Sequence, residues 1–215
     1  VDTKLVAASI DLTGLHMASD EQFNKKSCTT GHTGFGVPYA TDPDHSDVPR
    51  SAARPLRYMD EYVTVTQGEV MYMTEALANL EGIERGPAGN TALAAAFSLA
   101  RELPEDAVIV ISETEYTGAG KHIQPQLAFA RENGIEIKFG NPQEEDKPGI
   151  NIVLPKDPSY VQHKVADVNH FRNRLINKAV KKAGVDPKEL KADDIEFLAA
   201  ETKTDEAFVK KALGL

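Results

Sequence analysis

The sequence predicts an α/β protein with a mostly parallel sheet, helices on both faces of that sheet, and a helical extension at the carboxyl end. Three observations predict it. Along the first 140 residues, apolar runs of strand length alternate with helical patterns, as in sheets built from βαβ units. Residues 107–111 are an unbroken apolar run suited to a strand covered on both faces. From residue 159 onward the pattern is helical.

The predicted strands lie in five apolar or β-branched runs. They are expected at residues 5–10, 61–65, 107–111, 135–139 and 150–154.

Two helices between the second and third of these strands carry apolar residues at helical spacing, so each is expected to lie on the sheet. The first begins after Thr66 or Gln67, and the second begins near Thr91, with Asn90 or Thr91 as its cap. Pro104 ends the second helix. A third helix, at residues 125–133, is stopped by Gly134. The predicted stripes are Val70, Met73, Leu77 and Leu80 in the first helix, and Leu93, Ala96, Phe97, Ala100 and Leu103 in the second.

The composition changes at Asn141, which divides the chain into residues 1–140, a connector at 141–158 and the extension at 159–215. The extension is too small for a full core of its own, so it is expected to dock on the main domain or on a partner chain. Its predicted features are a stripe of Val165, Val168, Phe171, Leu175, Ile176 and Ala179, caps at Asp186, Asp193 and Asp205, and mutual burial of Ile195, Leu198, Phe208 and Leu213.

The composition excludes several classes of function. A net charge of -9 argues against a nucleic-acid partner, which requires clustered positive charge. Cys28 is the single cysteine, so no internal disulfide forms and a cytoplasmic location is expected. No apolar run is long enough to cross a membrane. Because the chain begins at Val1 and enters a core strand almost at once, we expect it to be part of a longer protein or one polypeptide of a pair.

Two glycine-bearing loops are the candidate binding elements. Residues 113–122 follow the predicted buried strand and combine hydroxyls, glycines, a lysine and a histidine at the sheet edge where α/β proteins bind ligands. A solvated connection is the alternative. Residues 31–38 carry three glycines whose amides could approach a flat or anionic ligand, although structural turns explain them equally well. Cys28 and His32 lack the spacing of a metal site, so none is expected.

The order of these segments resembles the fold-type II pyridoxal-phosphate enzymes. The matching stretches are GHTGFGVP at 31–38, MDEYVTVTQGEVMYMTEALANLEGIERGPAGNTALAAAFSLA at 59–100, and the loop ETEYTGAGKH at 113–122. The resemblance covers residues 4–140 and lies in order and spacing more than in identity. The family's Schiff-base lysine and its phosphate-binding loop lie upstream of the matching region. The resemblance therefore implies half of a site, which would bind pyridoxal phosphate only together with the missing half.

The resemblance also implies which residues face the cofactor and the substrate. The post-strand turn of the family places a hydroxyl beside the pyridine nitrogen, and Thr117 is the residue favoured here, with Ser112 and Thr91 as alternatives. Lys121 is expected to meet a coenzyme A phosphate or a carboxylate, and His32 to contact substrate. The full set of expected cofactor-binding residues is Thr117, Gly118, Gly120, Ser112, Asn90, Thr91, Gly34 and Gly36.

The activity that the resemblance implies is acyl transfer, in which coenzyme A cleaves a small amino-keto acid, with the isolated chain inactive. A smaller partner subunit and a homo-oligomer are expected with it. Two alternatives stay open: β-elimination or β-replacement on an amino acid, and a non-catalytic binding module.

Overall fold

A computed structural model of the protein describes residues 3–11, 54–113 and 122–215. The strands are β1 (Val6–Ile10), β2 (Glu61–Val65), β3 (Glu136–Gly140), β4 (Asn151–Pro155) and β5 (Lys164–Val165). The α-helices are α1 (Gln67–Glu81), α2 (Asn90–Ala100), α3 (Gln124–Glu132), α4 (Pro142–Glu145), α5 (Val168–Ala183), α6 (Ala192–Thr202) and α7 (Glu206–Leu213). Short 3-10 helices span Arg54–Arg57, Pro158–Tyr160 and Pro187–Glu189.

The strands form two small, mostly parallel sheets, which confirms the α/β class. In the first sheet β2 lies in the centre, parallel to β1 and antiparallel to the two-residue β5. In the second sheet β3 and β4 are parallel. The short β5 was not predicted, because two residues carry no recognisable pattern and their pairing with β2 depends on the rest of the fold.

Helix α1 is buried between the cores of the two sheets. Val70 and Met73 pack in the core cluster that contains Ile10 and Val63 of the first sheet. Met71 packs in the second cluster, which contains Ile152 of β4. The predicted apolar stripe is therefore confirmed for Val70 and Met73 and wrong for Leu80, which is 80% exposed. Residues on both sides of the first two turns of α1 are buried, and the last turn of the helix lies outside the core.

Helix α2 lies on β1 and β2 through small residues, as its alanines predict. Ala94 and Ala95 are buried in the first core cluster, and Leu93 and Phe97 pack partly against it. The prediction that Ala100 and Leu103 continue this face is wrong. Ala100 is exposed, and Leu103 lies beyond the end of the helix with 45% of its surface exposed.

Residues 107–111 do not form the predicted buried strand. They have no regular secondary structure, and Val108 and Val110 are 87% and 90% exposed. An apolar run becomes a strand only where a neighbouring strand supplies hydrogen-bond partners. No described strand pairs with this segment, and the composition of the run could not reveal that.

The helical extension docks on the main domain, as predicted. Phe171 of α5 lies edge-on to the Tyr62 ring of β2, with centroids 6.4 Å apart. Lys203 binds Asp60 at 2.5 Å, and Arg57 contacts Glu201 at 3.2 Å. Ile195 is buried in a small cluster against which Leu198, Phe208 and Leu213 pack, which confirms their mutual contact.

Three details of the extension differ from the prediction. Ala179 is exposed, and Val180 is buried in its place. Val165 belongs to β5 and is 63% exposed, so it is not part of the α5 stripe. Asp186 and Asp205 cap helices as predicted, but Asp193 does not. At the start of α6, Asp194 instead accepts a hydrogen bond from the Lys191 amide at 2.9 Å.

In the described ranges, no helix has the length and apolar character needed to cross a bilayer.

Candidate functional site

The described part of the predicted site consists of two segments, the turn that leads into α2 and the end of the apolar run at residues 111–113. Asn90, Thr91 and Ser112 lie on these segments. The other predicted site residues lie outside the described ranges. They are Thr117, Gly118, Gly120, Lys121, His32, Gly34 and Gly36.

Asn90 is completely buried and does not cap α2 in the way the sequence predicts. The cap residue is Gly89, and neither Asn90 nor Thr91 closes the helix with its side chain. The Asn90 Nδ2 group instead donates to Thr74 Oγ1 at 3.1 Å and to the carbonyl oxygens of Arg85 and Gly86 at 3.2 and 3.3 Å. It therefore fixes the shape of the turn before the helix.

The same amide carries an unused acceptor. Asn90 Oδ1 is shielded from solvent and accepts no hydrogen bond from the part of the chain that the structure describes. A buried polar atom without a partner costs free energy, so such atoms are rare and often mark a ligand site. Asn90 can accept one hydrogen bond from a group that enters this turn.

Glu113 is a second such group near this turn, and no sequence pattern singled it out. Both carboxylate oxygens of Glu113 are shielded from solvent and have no hydrogen-bond partner among the described residues. Burial raises the pKa of the Glu113 carboxyl group, and the positive charge of Arg85 partly opposes that rise. Ser112, the neighbouring residue, is exposed, and Thr91 is half-buried. An acidic residue that ends an apolar run was the available signal for Glu113.

A separate polar cluster lies at the carboxyl ends of β1 and β2 and centres on the fully buried Glu69. This carboxylate accepts hydrogen bonds from the Thr66 amide at 2.6 Å, from the Gln162 amide at 3.0 Å, and from Gln143 Nε2 at 2.9 Å. Thr66 Oγ1 in turn accepts from the Glu69 amide at 3.3 Å, which completes a capping box. Burial raises the Glu69 pKa, and these hydrogen bonds oppose the rise.

Asp146 lies close to Glu69 and has a strongly shifted pKa. Burial raises the pKa of Asp146 to about 7, and the nearby charges of Glu69 and Asp11 add to that rise. A hydrogen bond from the Val153 amide at 3.4 Å and the charge of Lys164 act in the opposite direction. The hydrogen bonds of Glu69 therefore connect α1 to α4 and to the segment before β5. Asp146, which lies near Glu69, has a pKa raised to about 7.

The described residues contain no group of three or more His, Cys, Asp or Glu side chains that could hold a metal ion. Near the turn, the described side chains include the Asn90 amide oxygen, the shielded carboxyl group of Glu113 and the Arg85 cation.

Residues 9–115 match the family of proteins described as pyridoxal-phosphate dependent enzyme. This stretch of the chain belongs to that family. It contains β1, β2, α1, α2 and the turn that carries Asn90. The resemblance noted in the sequence is therefore confirmed, and the family's dependence on pyridoxal phosphate makes this the expected cofactor.

Two curated relatives match almost all of the chain. The 2-amino-4-ketopentanoate thiolase beta subunit of Acetoanaerobium sticklandii is 64% identical over 211 residues, which is 98% of this chain and 44% of that protein. A protein of the same name from an unknown prokaryotic organism is 59% identical over 212 residues, which is 99% of this chain and 44% of that protein. The chain thus spans less than half the length of these relatives. No solved structure matches it.

The polar groups of the turn fit a pyridoxal-phosphate site. Asn90 Oδ1 and the Glu113 carboxyl group are shielded groups without a hydrogen-bond partner among the described residues, and a polar ligand can supply such a partner. Both lie within or close to the stretch that matches the pyridoxal-phosphate enzyme family. This stretch therefore contains a shielded hydrogen-bond acceptor, Asn90 Oδ1, and a carboxyl group whose pKa is raised by burial, that of Glu113.

Proposed function

We propose that this chain is part of a pyridoxal-phosphate dependent thiolase that cleaves 2-amino-4-oxopentanoate with coenzyme A, giving acetyl-CoA and alanine. The observation that carries the proposal is the 64% and 59% identity to two proteins named as the beta subunit of that thiolase. The family match over residues 9–115 supports the cofactor. The reaction is an acyl transfer and belongs to the degradation of ornithine.

When bound, pyridoxal phosphate supplies the electron sink for cleavage of the bond between C3 and C4 of the substrate. The residues of this chain position and tune the reacting groups. In this proposal Asn90 accepts a hydrogen bond, and Glu113 keeps its proton to a higher pH than an exposed glutamate would, so it can donate or accept a proton at Oε. Thr117 faces the ring nitrogen, with Ser112 and Thr91 as the alternatives.

The remaining predicted site residues complete one wall of the pocket in this proposal. Lys121 binds a phosphate of coenzyme A or a carboxylate, and His32 contacts substrate. The backbone amides at the glycines of the two loops approach the cofactor. These are Gly34, Gly36, Gly118 and Gly120.

The partner in the proposed assembly is a smaller subunit that joins the thiolase beta chain, and the complex contains more than one copy of each. The name beta subunit of the two relatives supports a second type of subunit. The helical extension offers apolar side chains for such a contact, because Phe197 of α6 is 63% exposed and Leu215 is 50% exposed.

The decisive assay uses a subunit of the relatives' length that includes residues 1–215, together with the smaller subunit, pyridoxal phosphate, 2-amino-4-oxopentanoate and coenzyme A. Acetyl-CoA and alanine are expected in equal amounts. A parallel reaction with O-acetylserine and sulfide tests β-replacement. Product in that arm alone would contradict the thiolase proposal and favour the cysteine-synthase type of reaction. No product and no cofactor absorbance in either arm would favour a non-catalytic binding module. Chain 1–215 alone is expected to be inactive.

The position of Thr117 is tested by Thr117→Val in the same longer subunit. Thr117→Val removes the proposed hydrogen bond to the ring nitrogen of the cofactor. Hydrogen bonds to charged groups contribute about 1.5–3 kcal/mol, so we expect the rate of the reaction to fall by at least about tenfold. The absorption spectrum of the bound cofactor is expected to shift as well. Thr3→Val, at an exposed position, is the control. An unchanged spectrum and rate for Thr117→Val would transfer the role to Ser112 or Thr91.

A further inference from the structure

The segment of residues 107–111 carries one of the most exposed groups of apolar side chains in the described part of the protein. Val108 and Val110 are 87% and 90% exposed, whereas Ile109 is 38% exposed and Ile111 is half-buried. This alternation has the two-residue period of an extended chain, in which successive side chains point to opposite sides. Val108 and Val110 share the outer side, and Ile109 and Ile111 share the side nearer the protein.

The backbone of the segment also has few hydrogen-bond partners among the described residues. Ala107 donates to the Pro104 carbonyl at 3.0 Å. From Val108 to Ser112, no backbone hydrogen bond to another described residue is present. Unpaired amide and carbonyl groups next to exposed β-branched side chains form the edge on which another strand pairs.

The position of the segment in the fold fits a strand of the first sheet. It follows helix α2, which packs on β1 and β2, and a strand that follows such a helix normally returns to the same sheet in parallel orientation. Both edges of β2 are occupied, by β1 and by β5. β1 is an edge strand among the described strands, and Leu5 directly before it is 48% exposed.

We propose that residues 107–111 are a docking strand that pairs with a β-strand from the part of the subunit outside residues 1–215. The length of the relatives supports this occupant, because this chain accounts for only 44% of each of them. Apolar side chains on both sides of the segment match an interior strand that is covered on both faces. The inference does not depend on the reaction proposed above.

A second copy of the chain fits the segment less well. If two copies paired antiparallel about Ile109, Glu105 of each would lie opposite Glu113 of the other, and a parallel in-register pair would align each acidic residue with itself. Like charges directly opposite each other destabilise strand pairing. Each copy also carries a net charge of -9.

Amide hydrogen exchange tests the pairing directly. The amides of residues 108–111 are measured in the longer subunit and in chain 1–215. Because exchange of a strand amide requires the sheet to open, we expect exchange to be at least about 100-fold slower in the longer subunit. Equal exchange rates in the two proteins would overturn the proposal. Protection in chain 1–215 that rises with its concentration would assign the docking strand to a second copy, and would also overturn it.

A matched pair of variants provides the second readout. Val110→Asp and Leu80→Asp place the same charge at residues that are 90% and 80% exposed in this structure. In the longer subunit, Val110→Asp is expected to lower the thermal midpoint by more than about 5 °C or to prevent folding, and Leu80→Asp to change it by less than about 2 °C. Equal tolerance of the two variants would show that Val110 stays on the surface and would overturn the proposal.

Discussion

Gly68→Ala is expected to destabilise the protein by more than about 3 kcal/mol, although the same change in an ordinary helix usually stabilises it. Gly68 is the second residue of α1, and a Cβ atom there would lie 1.7 Å from the carbonyl oxygen of Val153 and 2.5 Å from its carbonyl carbon. Both atoms belong to the backbone of β4, all five residues of which are buried. The clash cannot be relieved by turning a side chain, so helix and strand would have to separate.

Chemical denaturation of chain 1–215, followed by circular dichroism, measures this effect. Leu80→Ala is the control, because it lies in the same helix and 80% of the Leu80 surface is exposed. Its free energy of unfolding is expected to stay within about 0.5 kcal/mol of the parent value. If Gly68→Ala proved as stable as Leu80→Ala, the close approach of α1 to β4 would be wrong.

We expect the stability of the parent protein to fall between about pH 4 and pH 7, and Asp146→Asn to remove that fall. The Asp146 pKa is raised from 3.8 to about 7, so the folded state holds this proton more tightly than the unfolded state does. The resulting stabilisation is complete below pH 4 and is lost as the pH rises through 7. The loss amounts to up to about 4 kcal/mol, at about 1.36 kcal/mol for each unit of pKa.

The measurement is the free energy of unfolding at pH 5 and pH 8, for the parent protein and for the variant. Asparagine keeps an oxygen that can accept from the Val153 amide but carries no charge, so Asp146→Asn should be the more stable protein at pH 8. Asp186→Asn is the control, since Asp186 is an exposed cap and asparagine caps helices equally well. Identical pH profiles for Asp146→Asn and the parent would show that another group titrates in this range. Glu69, whose pKa burial also raises, would then be the next candidate.

Local sequence patterns were sufficient to predict the elements that contain a recognisable strand composition, helix cap or helix stop. β2 occupies the five residues predicted from their β-branched and aromatic character. The start of α1 follows from Thr66 and Glu69, which form the capping box that their spacing permits. Gly134 stops the helix before β3 with a positive φ of 74°, a conformation that glycine adopts without strain.

The candidate site was predicted only in part. The sequence pointed to the turn before α2 and to the loop after residue 112, but it assigned Asn90 a capping role, whereas Asn90 donates to Thr74 and to two carbonyl groups of the turn. Glu113, Glu69 and Asp146 were not singled out. Their importance depends on burial and on neighbours that are distant in the chain, such as Gln162, which is 93 residues from Glu69.

Local patterns predict the alternation of strands and helices, the caps and stops of most elements, and the relationship to pyridoxal-phosphate enzymes, because each of these is encoded in residues close together in the chain. Which apolar residues are covered depends instead on contacts between distant parts of the chain. Residues 107–111 have the composition of a buried strand, yet Val108 and Val110 lie exposed, since burial requires a neighbouring strand that no local pattern supplies. Conversely, Glu69 is of a residue type usually found on the surface and is completely buried, because Gln143 and the Gln162 amide, which folding brings to it, donate hydrogen bonds to its carboxylate in addition to the nearby Thr66 amide.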